Sequence, residues 1–307
     1  VFPERFLEYG CTRVELGIQS VYDSILKKVK RGHSVKTTVD AVAQLKEHGF
    51  KILYQVMLGL PGSSLRKDIQ MFKKLFGDKR FKPDMLKIYP TLVVRGSELY
   101  DLWKAGKYKP IDEAYVMAVL EAVYKMAPKW VRIHRVQRDI PSDYIEAGPV
   151  RSNLRQELVQ KWDKLKKRSN EIRFREVGQV YRRLGKRPEN EQISVQKYKA
   201  SGGEEYFISV EDKKQNILLG FCRLRITVCT KAFVRELHVY GETLPLGSKK
   251  GAIQHAGRGK KLLARAEELA RKHRCESINV ISGVGVREYY RRLGYGLKNG
   301  YMVRKLK

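Results

Sequence analysis

The residues best suited to chemistry are Gln254-His255-Ala256-Gly257-Arg258-Gly259-Lys260, two glycines and two cations set just before a helix-patterned run. Glycine lets a backbone turn its N–H groups toward an anion, and the start of a helix carries the positive end of the helix dipole. Arg258 and Lys260 add formal charge, so the segment suits a pyrophosphate; a glycine-rich helix cap accounts for the glycines equally well. It is not a Walker loop, because Lys261 follows where Ser or Thr is needed, and it is not a dinucleotide G-x-G-x-x-G. Tyr289 and Tyr290 form a second candidate: a phenol can hand a proton to a leaving thiolate, or simply pack in a core. Gln19-Ser20 and Gly59-Leu60-Pro61-Gly62 each close an apolar run, where parallel-strand barrels place their chemistry.

Regular elements must hold these groups. In the first half short apolar runs alternate with amphipathic stretches, which predicts strands at 13–18, 50–58 and 85–89 in a parallel sheet. Helices are expected at 36–48, 66–76 and 113–126, and a basic-faced strand at 130–140. Residues 151–199 are dense in Lys and Arg and read as a charged connector. Beyond Gly202-Gly203 the pattern predicts antiparallel strands at 206–210, 217–226 and 232–240. A helix at 260–273, a strand at 277–282, a short helix near 287–293 and a last strand at 300–305 follow.

The charge names a class of partner. Against 33 acidic residues stand 63 basic ones, a net charge of +30, and residues 151–307 carry +21 of it, from 37 basic and 16 acidic side chains. Such a field attracts polyphosphates, with nucleic acid foremost. In the first half Lys27, Lys28, Lys30, Arg31, Arg132, Arg135 and Arg138 are candidate RNA contacts. No apolar run reaches the ~20 residues of a membrane span, so no membrane role is expected. Cys11, Cys222, Cys229 and Cys275 show no C-x-x-C spacing, which points to a reducing, cytoplasmic setting. His33, His134, His238 and His255 lack H-x-x-x-H spacing and read as structural or RNA-facing.

The order of motifs then carries a resemblance. Gln254-x-x-Gly257-x-Gly259 resembles the acetyl-coenzyme A pyrophosphate loop of the GNAT acetyltransferases. Val234-Arg235-Glu236-Leu237-His238-Val239-Tyr240 looks like the strand whose main chain lies along the pantetheine arm, and Tyr289-Tyr290-Arg291-Arg292-Leu293-Gly294-Tyr295 like the C-terminal aromatic motif. The resemblance implies that Glu236, Leu237, His238, Val239, Gln254, Gly257, Arg258, Gly259, Lys260 and Tyr290 bind the cofactor. It makes Tyr290, with Tyr289 beside it, the catalytic phenol.

Val14-Glu15-Leu16-Gly17-Ile18-Gln19-Ser20, Arg31-Gly32-His33, Gly59-Leu60-Pro61-Gly62, Lys87-Ile88-Tyr89-Pro90-Thr91 and Gln137-Arg138-Asp139-Ile140-Pro141 look like the later strands of a radical S-adenosylmethionine barrel. Both halves together resemble the Elongator catalytic-subunit family. The implied fold is α/β: a partial radical-SAM-type (β/α) barrel over 1–150, a basic connector over 151–195 and a GNAT acetyltransferase domain over 196–307. The implied activity is 5-carboxymethyl formation on the wobble uridine of tRNA, from acetyl-coenzyme A and a radical from S-adenosylmethionine. The implied partners are tRNA, Elongator-type companion subunits or a second copy of the chain. Runner-up readings of the same motifs are a protein lysine acetyltransferase and a noncatalytic tRNA-binding scaffold.

Two departures qualify this. A [4Fe-4S] cluster needs three closely spaced thiolates, and none of the four cysteines has a suitable neighbour. The cluster loop is therefore expected to precede Val1, leaving the radical half inactive in this piece. Where relatives can carry a C-x-C-x-x-C site, this chain reads Ser169-Asn170-Glu171-Ile172-Arg173-Phe174, and no structural zinc is expected.

Overall fold

The computed structural model describes residues 3–136, 140–241 and 257–306. In chain order the first half holds α1 (Pro3–Glu8), β1 (Arg13–Gln19), α2 (Asp23–Lys28), α3 (Val35–Glu47), β2 (Lys51–Leu58), α4 (Leu65–Gly77) and β3 (Met85–Pro90). There follow β4 (Val93–Val94), α5 (Glu98–Lys104), α6 (Glu113–Met126), β5 (Arg132–Val136) and β6 (Ile145–Ala147). The second half holds α7 (Leu154–Lys164), α8 (Ile172–Arg175), α9 (Val177–Leu184), β7 (Gln192–Ala200), β8 (Gly203–Asp212), β9 (Ile217–Ile226) and β10 (Ala232–Val239). It ends with α10 (Arg258–Lys272), β11 (Ser277–Val280), α11 (Arg287–Arg291), β12 (Gly296–Lys298) and β13 (Tyr301–Lys305). Two compact units emerge, one of Val1–Val14, Ala41–Ile52 and Ile172–Lys307, the other of Glu15–Asp40 and Leu53–Glu171. No described helix is long and apolar enough to cross a membrane.

In the second of these units a four-stranded sheet has the order β1-β2-β3-β5, with β2–β3 and β3–β5 parallel. β2 reads Lys-Ile-Leu-Tyr-Gln-Val-Met-Leu, a near-continuous apolar run, as a parallel strand covered on both faces requires. Ser64 caps α4 by accepting the Lys67 N–H, and Met71, Phe72, Leu75 and Phe76 form its buried stripe. α6 starts at the Asp112 cap and buries Val116, Val119, Leu120, Val123 and Tyr124 with helical spacing.

The charged stretch after residue 150 is more ordered than its composition suggests. Leu154, Leu158 and Trp162 recur every fourth residue and bury one side of α7. Where a metal site was a possibility, Ser169 donates to the Tyr124 carbonyl at 2.6 Å and the buried Glu171 accepts the Ile133 N–H at 2.7 Å.

The other unit is built on a seven-stranded sheet, order β12-β13-β11-β10-β9-β8-β7, in which only β10–β11 is parallel. Ile208, Leu224, Val234 and Ile278 pack on one face against Leu262, Ala266 and Ala270 of α10. Each fully buried aliphatic side chain stabilises such a core by ~1.5–3 kcal/mol before entropy is counted. β10 contains a bulge: Val234 pairs with Leu224 and Glu236 with Arg223, so Arg235 is the extra residue. Ala232 and Val234 face the core before it, and Leu237 and Val239 after it.

On the opposite face the same unit buries a charge network. Arg235 donates through Nε and Nη2 to Glu205 at 3.0 and 2.8 Å and through Nη1 to the Phe50 carbonyl at 2.9 Å. Arg225 donates to Glu205 at 3.0 Å and to Glu47 at 3.2 Å, and Lys46 stands 4.0 Å from Glu205.

Candidate functional site

Three elements of one unit converge near Gly259. Gly257 adopts the left-handed φ of +72° that starts α10. A Cβ on Gly259 would lie 2.8 Å from the Tyr289 hydroxyl and 3.7 Å from Val239 Cγ2, so a side chain here would push the phenol tip aside where α10, α11 and the end of β10 meet. Lys260 is exposed on the first turn. Arg258 is turned away from any ligand, because its buried guanidinium donates through Nε to Glu191 at 3.0 Å and pairs with that carboxylate through Nη2 as well. What Arg258 offers is its backbone N–H. Gln254 and His255 lie outside the described residues.

β10 supplies main chain. Its parallel pairing with β11 covers only Ala232 to Val234, and Ile281 N–H closes the pair by donating to the Val234 carbonyl at 3.1 Å. Among the described residues β10 runs on beside β9 as far as Val239. The bulge at Arg235 falls where the partner strand stops. The Glu236 carboxylate accepts from buried Arg223 at 2.8 Å, Leu237 and Val239 pack on the core, and exposed His238 stacks on Phe221 with centroids 5.9 Å apart. For these four residues the side chains serve the fold, and the described pairing with β11 ends before them.

The two tyrosines differ in burial. Tyr290 is 5% exposed, part of the core, with its ring 5.9 Å from Tyr295. Burial, then the nearby Cys222 and Tyr289, pushes its pKa far above that of a free phenol. Tyr289 is 37% exposed, and its hydroxyl is the one beside Gly259; partial burial raises its pKa too, so it keeps its proton at neutral pH.

The other unit holds a second polar cluster, at the C-terminal end of β2. Gly59, with φ +70°, donates its N–H to Asp68 at 2.7 Å, Tyr115 donates to the same carboxylate at 2.7 Å, and Ser63 donates to its other oxygen. Tyr108 donates to the Gly59 carbonyl at 2.8 Å. Burial raises the Asp68 pKa, while the three donors oppose the rise. Burial pushes Tyr108 up to about 12, and Tyr115 well above the ordinary phenol value. Sequence reading found the glycines and missed Asp68, Tyr108 and Tyr115; the one available signal was an acid in the first turn of a helix after Gly-Ser-Ser. At the end of β1, Gln19 has φ +57° and Ser20 is buried, and Arg31 donates to the Gly17 carbonyl at 3.2 Å. Across neighbouring strands, Glu15 accepts from Lys87 at 2.6 Å and Gln55 at 3.1 Å. Lys30 pairs with Glu98 at 2.6 Å; Arg138 lies outside the described residues, as do Gln137 and Asp139.

The thiols do not fit an iron–sulfur cluster. Cys222 and Cys275 are buried apart in the sheet-and-helix core, Cys11 donates to the Arg13 carbonyl and Cys229 is exposed. Among the described residues no three metal-binding side chains gather.

Residues 2–75 match the Radical SAM superfamily and residues 83–164 the Radical_SAM C-terminal domain. This is a radical SAM protein by class. A solved structure described as archaeal Methanocaldococcus infernus Elp3 with an N-terminal deletion (1–46) superposes with a TM-score of 0.92 at 43% identity, over 99% of this chain and 74% of that one. The chain is 44% identical to a tRNA uridine(34) acetyltransferase of the same organism, over 98% of its length and 59% of the relative's. It is 40% identical to human Elongator complex protein 3, over 98% and 57%. The chain belongs to the Elongator complex protein 3 family, the family of the Elongator catalytic subunit, and spans under three-fifths of the length of these curated relatives.

Proposed function

We propose that this chain takes part in tRNA wobble-uridine modification and that its sheet-and-α10 unit is a GNAT-type acetyltransferase domain holding acetyl-coenzyme A. The observation that carries the reading is the cradle at Gly259, where a single added Cβ would displace the Tyr289 hydroxyl. On this reading the domain begins with β7 at Gln192, a few residues before 196, and residues 1–150 form the later part of a radical SAM barrel. The relatives' printed activity and a net charge of +30 support tRNA as substrate, with Elongator-type companion subunits as partners.

The backbone N–H groups of Gly257 to Lys260 hold a diphosphate at the positive end of α10, aided by the Lys260 ammonium. The main chain of Glu236 to Val239, left by β11, lies along the extended arm. Bound acetyl-coenzyme A supplies an acetyl thioester. Tyr289, whose hydroxyl lies beside Gly259, donates to the diphosphate, and Tyr290 protonates the departing thiolate at the far end of the arm. S-adenosylmethionine and a [4Fe-4S] cluster belong to the family's chemistry and are not assigned to any residue here.

Titration calorimetry with acetyl-coenzyme A, with and without tRNA, tests the assignment. Binding with a micromolar-class signal, and thioester turnover stimulated by tRNA, are expected. Tyr290→Phe should cut that turnover by roughly 100-fold, the lower range for a lost general acid, whereas Tyr289→Phe should mainly weaken acetyl-coenzyme A binding. No binding would overturn the reading; label transferred to protein amines without tRNA would replace it with lysine acetylation.

A further inference from the structure

The Glu98–Lys104 helix α5 carries two half-buried aromatic rings. Ser97 caps it by accepting the Tyr100 N–H, yet none of its seven residues is buried. Tyr100 and Trp103, at i and i+3, share one face, with ring centroids 5.8 Å apart and planes at 61°. The chain's other tryptophans, Trp130 and Trp162, are both buried, as a large indole ordinarily is. The Lys104 ammonium lies over both rings, 5.4 Å from the Tyr100 centroid and 4.7 Å from that of Trp103.

We propose that this face is a stacking platform for an unpaired nucleobase of RNA, with Tyr100 and Trp103 taking the base and Lys104 the adjacent phosphate. The assignment rests on the tRNA reading and specifies where a loop nucleotide would be held. Every base has a π-face, and single-stranded nucleic acid is commonly bound by aromatic rings set among cations. Between 95 and 109 the basic residues are Arg95, Lys104, Lys107 and Lys109, the acidic ones Glu98 and Asp101. Arg95 is paired with Glu146 and Glu98 with Lys30, so exposed Lys104, Lys107 and Lys109 set the local sign. Lysine over a half-buried surface ring is held weakly, and can swing to a phosphate when a base arrives.

The full chain is titrated with an RNA hairpin carrying an unpaired loop and, separately, with the blunt duplex of the same stem. The hairpin should quench tryptophan emission, and Trp103→Phe should abolish that quench while keeping hairpin affinity within about threefold. Trp103→Ala should weaken the hairpin roughly tenfold and leave the duplex unchanged. Hairpin affinity unchanged in Trp103→Ala, or duplex affinity reduced equally, overturns the platform while tRNA binding stands. If the wild type binds neither RNA, the tRNA reading itself falls. A polyglutamate peptide that quenches as strongly as the hairpin would overturn the platform in favour of an acidic protein partner. Should Trp103→Ala fold poorly, the Trp103→Phe quench still decides.

Discussion

Two buried carboxylates show how the two units handle polar groups. Glu205 is answered by cations: Arg225 and Arg235 donate to it and Lys46 stands near. Asp68 is answered by neutral donors, the Gly59 N–H and the hydroxyls of Ser63 and Tyr115. A carboxylate ringed by guanidinium groups is held by charge-assisted hydrogen bonds. A carboxylate ringed by hydroxyls and an amide can be protonated at modest cost. The first arrangement ties α3 and the start of β2 to the sheet; the second holds a glycine turn at a strand end, where adjustability is useful.

Removing the acid from the cationic cluster should have the largest effect. Glu205→Gln leaves Arg225 and Arg235 uncompensated and should cost about 3–5 kcal/mol, read from the urea midpoint of that unit. A loss below ~1 kcal/mol would mean the arginines find other acceptors and the contrast dissolves. Asp68→Asn should cost less, about 1–3 kcal/mol near neutral pH, by disturbing three hydrogen bonds.

The acidic range sharpens the contrast. The folded pKa of Asp68 is raised above its unfolded value of about 3.9, so the native state binds the proton more tightly. Its contribution to stability is complete below that unfolded value and is lost as pH rises through the folded one. Subtracting the Asp68→Asn stability profile from the wild-type one should reveal this decline, and a flat difference would show that Asp68 titrates normally. Tyr115→Phe removes one donor to the ionised form, which should cost ~1–2 kcal/mol and steepen the decline. At the bottom of the scale, Lys36→Ala breaks the exposed pair with Asp40 and should move stability by less than ~0.5 kcal/mol.

Much of this architecture was legible because burial writes a period into the chain. The expected strands at 13–18, 50–58 and 217–226 and the helix at 113–126 match β1, β2, β9 and α6 to within a residue. β7 was missed because Gln192 to Ala200 is an edge strand whose outward residues include Lys197 and Lys199, so its charge hid its alternation. α7 was hidden likewise, three apolar residues being diluted by the cations between them. At the site, Gly257, Gly259 and the tyrosine pair were visible. Which tyrosine faces outward was not, because two adjacent phenols look alike until a helix of definite phase is laid on a core. The Arg258–Glu191 pair spans 67 positions and leaves no local trace.

The doubled step at Arg235 has a consequence for how this strand can change. Before it, even-numbered residues of β10 look inward; after it, odd-numbered ones do. Deleting Arg235 would restore simple alternation and keep Leu237 and Val239 inward, so what the extra residue secures is the guanidinium on Glu205 and the Phe50 carbonyl, and its loss would empty that network while sparing the core.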